Sequence, residues 1–287
     1  MLKGIIIAAS DTGELQKTLT REGLALKRVK AKEERELLDA LAELRACREE
    51  VLCLVETDEQ EKLARTLGLF CVGYLNPKLP DEKLRGCRIL LEGFQEIDRT
   101  FLQNVHTRAL GLPVQIAETK RLLIREMTLS DLDEINALYR EEPSATLSPE
   151  LSLNRQEEEE KIRAYIAYMY GLYQFGMWVV IEKKSHEMIG RAGFGIADYL
   201  NFSEIDLGYL IGRKYRGQGY GEEACRAVLD YGSQVLYLPR VSAYIDRENK
   251  GSLHLIEKLG FQKKQSFAYE ERTLCRYLLN LQQKTAV

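Results

Sequence analysis

Six residues, Arg216-Gly217-Gln218-Gly219-Tyr220-Gly221, constrain this chain more than any other stretch. They lie between an apolar, strand-like run at 205–211 and a run at 222–236 with helical spacing, so they must turn a strand into a helix. Three glycines at alternate positions leave little side-chain bulk, and backbone N–H groups can then approach an anion closely. The helix begins where those amides point, and its N-terminus favours negative charge. This suits a pyrophosphate. A P-loop is excluded because no Lys-Ser or Lys-Thr pair follows, and the dinucleotide fingerprint Gly-x-Gly-x-x-Gly because the glycines fall at 217, 219 and 221. A plain tight turn would have the same composition, so the flanking segments decide.

The turn fits the pattern Arg/Gln-x-x-Gly-x-Gly/Ala through Arg216, Gly219 and Gly221. Downstream come Asn249-Lys250-Gly251-Ser252, an apolar helical stretch at 253–259, and Gly260-Phe261, where Gly260 suits a left-handed helix end. Upstream lie 118–125, 177–181 and 188–194, three strand-like runs. In this order and spacing, over residues 118–281, the segments resemble the GNAT family of N-acetyltransferases, closest to its ribosomal-protein N-acetyltransferase branch. The resemblance implies an α/β fold with a mixed, mostly antiparallel central sheet flanked by helices.

At 287 residues the chain suits two domains better than one. A net charge of −3 argues against nucleic acid as a partner. The six cysteines show no Cys-x-x-Cys spacing and there are three histidines, so no metal site is expected, and reduced thiols in a cytoplasmic protein are the natural reading. Apolar runs fall short of a membrane span, and a homodimer is allowed.

Residues 1–113 lie outside the GNAT pattern. Strand-like runs at 4–9, 24–29, 51–55, 70–74 and 87–91 alternate with helix-like runs at 14–22, 32–48, 58–67 and 98–110, which implies a smaller Rossmann-like, parallel-sheet α/β domain. Residues 51–58 and 67–77 are similar to the later strands of haloacid-dehalogenase-like (HAD-like) hydrolases. The first strand ends Ala9-Ser10-Asp11, without the Asp-x-Asp of those enzymes, so the resemblance implies a degenerate domain without phosphotransfer. Gly111-Leu112-Pro113 reads as the linker, and residues 114–287 as the transferase domain.

Within that domain a helix is expected from Ser130, with Ser130 as N-cap and Asp133 in the cap-box position. Residues 142–156 read as a mobile loop over an acceptor site. A helix at 156–175 should turn Ile162, Tyr165, Ile166, Met169 and Tyr173 inward.

Function follows from the resemblance: transfer of an acetyl group from acetyl-CoA to a primary amine by direct attack on the thioester. The acceptor is left open between a protein N-terminus and a small-molecule amine. The family's CoA site implies backbone pairing of pantetheine with Tyr209, Leu210 and Ile211, pyrophosphate binding by Arg216, Gly217, Gln218, Gly219, Tyr220 and Gly221, and a pantetheine contact from Asn249. The tyrosine that many members carry seven residues after that Asn is Ile256 here, and Ser252 is the candidate proton source. The Glu that some carry five residues before it is Tyr244; Asp206, Glu204 and Tyr244 are the candidates for base. With both usual groups absent, a catalytically weak CoA-binding regulatory or scaffold protein is the alternative.

Overall fold

In the computed structural model, which describes residues 1–141, 154–199 and 202–281, the chain divides into two compact units, residues 1–114 and 115–287. The expected loop at 142–156 lies mostly outside the described residues.

The first unit is built from β1 (Gly4–Ile7), α1 (Gly13–Arg21), β2 (Ala25–Arg28), α2 (Glu34–Leu44), β3 (Val51–Val55), α3 (Asp58–Thr66), β4 (Phe70–Tyr74), β5 (Ile89–Leu91) and α4 (Arg99–Ala109). All five strands are parallel, in the order β2-β1-β3-β4-β5. β1 and β3 are buried along their whole length, as parallel strands covered on both faces must be. One face packs on α1 and α4 through Leu15, Leu19, Leu102 and Val105, the other on α2 and α3 through Leu37, Leu41 and Ala64. The long helix expected at 32–48 stops at Leu44, where Arg45 turns left-handed at φ 50°. At the carboxyl edge of the sheet the Ser10 hydroxyl donates to Glu56 at 2.8 Å, and Asn76 Nδ2 donates to both, at 3.0 Å to Ser10 and 2.8 Å to Glu56. Glu56 and Asn76 are buried and Ser10 half-buried, and the three bond to one another.

The second unit is an eight-stranded sheet in the order β12-β13-β11-β10-β9-β8-β7-β6. Its strands are β6 (Gln115–Glu118), β7 (Leu122–Arg125), β8 (Met177–Glu182), β9 (Met188–Tyr199), β10 (Phe202–Ile211), β11 (Arg240–Asp246), β12 (Gln262–Tyr269) and β13 (Arg272–Asn280). Every neighbouring pair is antiparallel except β10 with β11. This is the mixed, mostly antiparallel sheet that the sequence implied. Its helices are α5 (Leu132–Glu141), α6 (Arg155–Tyr165), α7 (Tyr220–Gln234) and α8 (Lys250–Lys258). α7 lays Ala224, Cys225, Val228 and Tyr231 toward the sheet, where Trp178, fully buried, meets the rings of Phe194 and Tyr231 edge-on at 5.8 and 5.3 Å.

Two local expectations are corrected. The turn leading into α5 is capped by Thr128, not Ser130: Thr128 N donates to Asp131 at 2.7 Å in a capping box, while Asp133 pairs with Arg155. Asp131 is the better cap partner because Arg125 grips it with two hydrogen bonds of 2.8 Å. The helix expected through 175 changes winding after Tyr165, becoming a π-helix from Ile166 to Tyr173. That wider winding rotates the inward face by one position per turn, so Tyr170 is buried and Tyr173 exposed.

The β8–β9 pairing depends on Gly193. A Cβ there would lie 2.0 Å from the Gly176 carbonyl oxygen and 2.8 Å from Met177 Cα, both backbone atoms with nowhere to go. Gly193→Ala is expected to cost about 3 kcal/mol, read as a lower urea midpoint; an unchanged midpoint would show that these strands part easily.

Candidate active site

The central feature is a fork. β10 pairs with β9 from Phe202 to Ile211, but with β11 only where Asp206 meets Ser242. Beyond that point the two parallel strands diverge. Gly212 N donates to the Ile189 carbonyl on the β9 side, whereas the Ile205 carbonyl accepts from Ser242 Oγ on the β11 side. Strand alternation therefore turns the backbone groups of Leu207, Tyr209 and Ile211 into the fork. A slot lined by strand backbone groups, of which the Ile211 carbonyl is taken by Arg216 Nε, can accept an extended amide-bearing chain as an added strand.

The glycine turn sits at the open end of this slot. Gly217 and Gly219 are left-handed, at φ +72° and +80°, and Gly219 is the residue from which α7 starts. Nothing lies within 4 Å of where a Gly217 side chain would begin. The first helical bond runs from Glu223 N to the Gly219 carbonyl, leaving the amides of Tyr220, Gly221 and Glu222 without helical acceptors. Arg216 Nε donates back to the Ile211 carbonyl at 2.8 Å and Gln218 Nε2 to the Lys214 carbonyl at 3.0 Å, so both side chains brace the turn.

Arg121, which carried no sequence signal as a site residue, braces it from outside. Its Nη1 donates to the Gln218 carbonyl at 2.9 Å, its Nε to Glu223 at 2.6 Å, and its guanidinium lies 4.1 Å from the centre of the Tyr220 ring. Burial works to raise the Glu223 carboxyl, but hydrogen bonds from Thr119 and Arg121 outweigh it and hold the group below the usual carboxylate range. The partners are about a hundred residues apart in sequence, which hides the contact from any local pattern.

The candidate catalytic residues divide into separate groups. Glu204 is clasped by Arg276 through two hydrogen bonds, one of 2.8 Å to Nε, and accepts the Tyr244 hydroxyl at 2.8 Å. Arg276 is the largest influence holding its carboxyl below the usual range. Burial, reinforced by Glu204, pushes the Tyr244 phenol up. Asp206, two residues along the same strand face, is the opposite case: burial raises it to about 6, its own backbone N–H opposes this, and the Glu204 charge adds to it. Its carboxylate leans over Gly195, its register partner on β9, 2.9 Å from where a side chain there would begin. Asn249 caps α8 by accepting from Ser252 N at 3.1 Å, Ser252 lies at the start of that helix, and Ile256 is fully buried. Among the described residues no group of three or more His, Cys, Asp or Glu side chains could hold a metal ion, and no helix is long and apolar enough to cross a membrane.

A splayed parallel strand pair closed by a glycine turn and a helix N-terminus defines a class of acyl-transfer fold, and comparison with known proteins agrees. Residues 121–262 match the family model described as acetyltransferase (GNAT) domain. The chain is 32% identical over 148 residues to the uncharacterised N-acetyltransferase p20 of Bacillus licheniformis, covering 50% of this chain and 81% of that protein. It is 35% identical over 91 residues to the [ribosomal protein uS5]-alanine N-acetyltransferase of Escherichia coli, covering 32% of this chain and 45% of that one. The ribosomal-protein-S5-alanine acetyltransferase of Vibrio fischeri superposes with a TM-score of 0.50 at 18% identity, over 58% of this chain and 97% of that one, a likeness of fold. The chain belongs to the GNAT acetyltransferase family and is an acyltransferase.

Arg276→Met is expected to destabilise the protein by about 3 kcal/mol, because it strands a shielded carboxylate. Glu204 has a depressed folded pKa, so its stabilisation is full above the unfolded carboxylate pKa and is lost as pH falls through the folded value. The gap between wild type and variant should therefore narrow in acid. Urea titrations at neutral and acidic pH measure it, and a pH-independent gap would refute the ion-pair account.

Proposed function

We propose that the protein transfers an acetyl group from acetyl-CoA to a primary amine by direct attack on the thioester. The observation that carries this reading is the fork between β10 and β11, one bridge long at Asp206–Ser242 and open beyond it. The pantetheine arm would lie in the slot as an added strand, paired with the backbone of Tyr209 and Ile211 beside Leu210. The pyrophosphate would rest on the amides from Gly217 to Gly221, with Arg216, Gln218 and Tyr220 framing them. Asn249 can still donate through Nδ2 to the arm. A fork amide such as Tyr209 N–H would stabilise the oxyanion that forms as the thioester carbonyl is attacked.

Asp206 is the base best matched to the task. A carboxylate raised to about 6 is ionised at neutral pH and still basic enough to assist deprotonation of an ammonium. Glu204 and Tyr244 are committed to each other and to Arg276, and act here as a fixed charge beside it. The acceptor is read as a protein N-terminus or a small amine; the former is supported by the similarity to an enzyme named for acetylating an alanine of ribosomal protein uS5. We read residues 1–113 as a domain separate from the transferase, which spans 114–287.

Calorimetric titration with acetyl-CoA and CoA, followed by thiol release with a mixture of alanine- and serine-led peptides and polyamines, tests the whole reading. No acetyl-CoA binding would overturn it. Gly219→Glu places a carboxylate against the phosphates, and since like charges set together cost several kcal/mol, affinity should fall roughly 100-fold or more. Gly219→Ala carries the same left-handed strain of about 1–2 kcal/mol without the charge and should bind far better than the Glu variant. Equal affinities would refute the cradle. Asp206→Asn is expected to lower kcat about 100-fold or more and to remove the acid limb that wild type should show near pH 6, set by the carboxylate that must be ionised to act.

A further inference from the structure

Arg121 is anchored on three sides and still has donors to give. Its Nε donates to Glu223 at 2.6 Å, its Nη1 donates to the Gln218 carbonyl at 2.9 Å, and the Tyr220 ring stacks on the guanidinium at 4.1 Å. The third nitrogen, Nη2, makes no hydrogen bond among the described residues, and the side chain is 36% exposed, so Nη2 is open to a ligand. A guanidinium is a rigid planar fork of five N–H donors. Holding two of its nitrogens and one face therefore fixes where the remaining N–H groups lie.

They lie at the cradle. Nη2 is 3.5 Å from where a side chain at Gly219 would begin, so glycine at 219 leaves open the space beside it. Gly219 is the residue from which α7 starts, and the amides of Tyr220, Gly221 and Glu222, which have no helical acceptors, follow directly. Those amides and the helix dipole amount to about half a positive charge, whereas a diphosphate diester brings two negative ones. A whole cation at the same place supplies what the turn lacks. Neighbouring charges are engaged elsewhere: Lys214 pairs with Glu187, and Glu222 with both Arg226 and Lys258. Arg121 also neutralises Glu223, a carboxylate that would otherwise stand in the first turn of α7 against an incoming anion.

We propose that Arg121 is a binding residue for the donor: Nη2 holds the diphosphate of CoA against the glycine turn, while Glu223 and Tyr220 keep the guanidinium in position to do so. The inference rests on the acetyl-CoA reading above and adds a specificity element to it. Backbone amides accept any anion of suitable size, but a pre-oriented guanidinium beside them favours a ligand that presents two linked phosphates. The side chain comes from the turn between β6 and β7, about a hundred residues before the cradle it completes.

The test is calorimetry on full-length wild type and four variants, with CoA and with dephospho-CoA, which keeps the diphosphate and lacks the 3′-phosphate. Arg121→Met should bind CoA roughly 20-fold more weakly, and dephospho-CoA more weakly by the same factor. Glu223→Gln breaks the ion pair but leaves Arg121 charged, so it should bind CoA as tightly as wild type or more tightly. Combining Arg121→Met with Glu223→Gln removes the repelling carboxylate as well and should still bind weakly. Arg121→Lys keeps a cation without the fork and should fall between wild type and the Met variant. Melting curves check that each variant is folded, and the Lys variant carries the comparison if the Met variant is not.

Wild-type affinity in both Arg121→Met and Arg121→Lys overturns the inference. Recovery of affinity in the combined variant overturns it too, because Arg121 would then act only by neutralising Glu223. A loss in Glu223→Gln as large as in Arg121→Met would show a brace and no ligand contact, and a loss confined to CoA would move the contact to the 3′-phosphate. Each of these leaves the cradle intact. Failure of wild type itself to bind CoA removes the acetyl-CoA reading and this inference together.

Discussion

Everything in the second unit turns on two strands that meet once and part. β10 and β11 run parallel, pair where Asp206 faces Ser242, and then separate. Breaking a sheet in its centre forfeits backbone hydrogen bonds that a buried sheet cannot easily spare. The flanking ladders sustain the opening: β10 holds β9 across ten register pairs and β11 holds β13 across seven. The slot is thus a defect bounded by two intact half-sheets, and its polar edges stay available to whatever enters. The turn at its mouth is held open in the same spirit, by side chains that bond backward: Arg216 to Ile211, Gln218 to Lys214, and Arg121 across to the Gln218 carbonyl. Cations brace the loop while its amides remain uncommitted.

The second unit was legible because its signals are local. Glycines at 217 and 219 announce left-handed residues, the apolar spacing after 222 announces α7, and Asn249 with Gly260 brackets α8; each is settled by residues within a few positions. What sequence did not carry is long-range or conditional. Arg121 reaches the cradle through Glu223, about a hundred residues away, and the bidentate clasp of Arg276 on Glu204 joins residues 72 apart. The π-helix at 166–173 escaped because apolar spacing reports a face, not a winding, and a one-residue change in winding exchanged Tyr170 for Tyr173 as the buried ring. The cap at Thr128 was missed for a related reason: Ser130 and Asp133 have suitable chemistry, but Arg125 had already selected Asp131.

The two acidic residues of β10 show how one strand gives similar side chains different chemistry. Glu204 and Asp206 share a face, two residues apart. Arg276 and Tyr244 supply Glu204 with directed donors, and it remains a firmly ionised anion. Asp206 lies deeper, over Gly195, and burial raises it into the range where a carboxylate can act as a base at neutral pH. The two are coupled, because the fixed negative charge of Glu204 is itself one of the forces that raise Asp206. Arg276 holds Glu204 firmly ionised, so the charge that helps to raise Asp206 stays in place through the range in which Asp206 titrates. The fork brings that raised carboxylate to the one point where the two strands still touch.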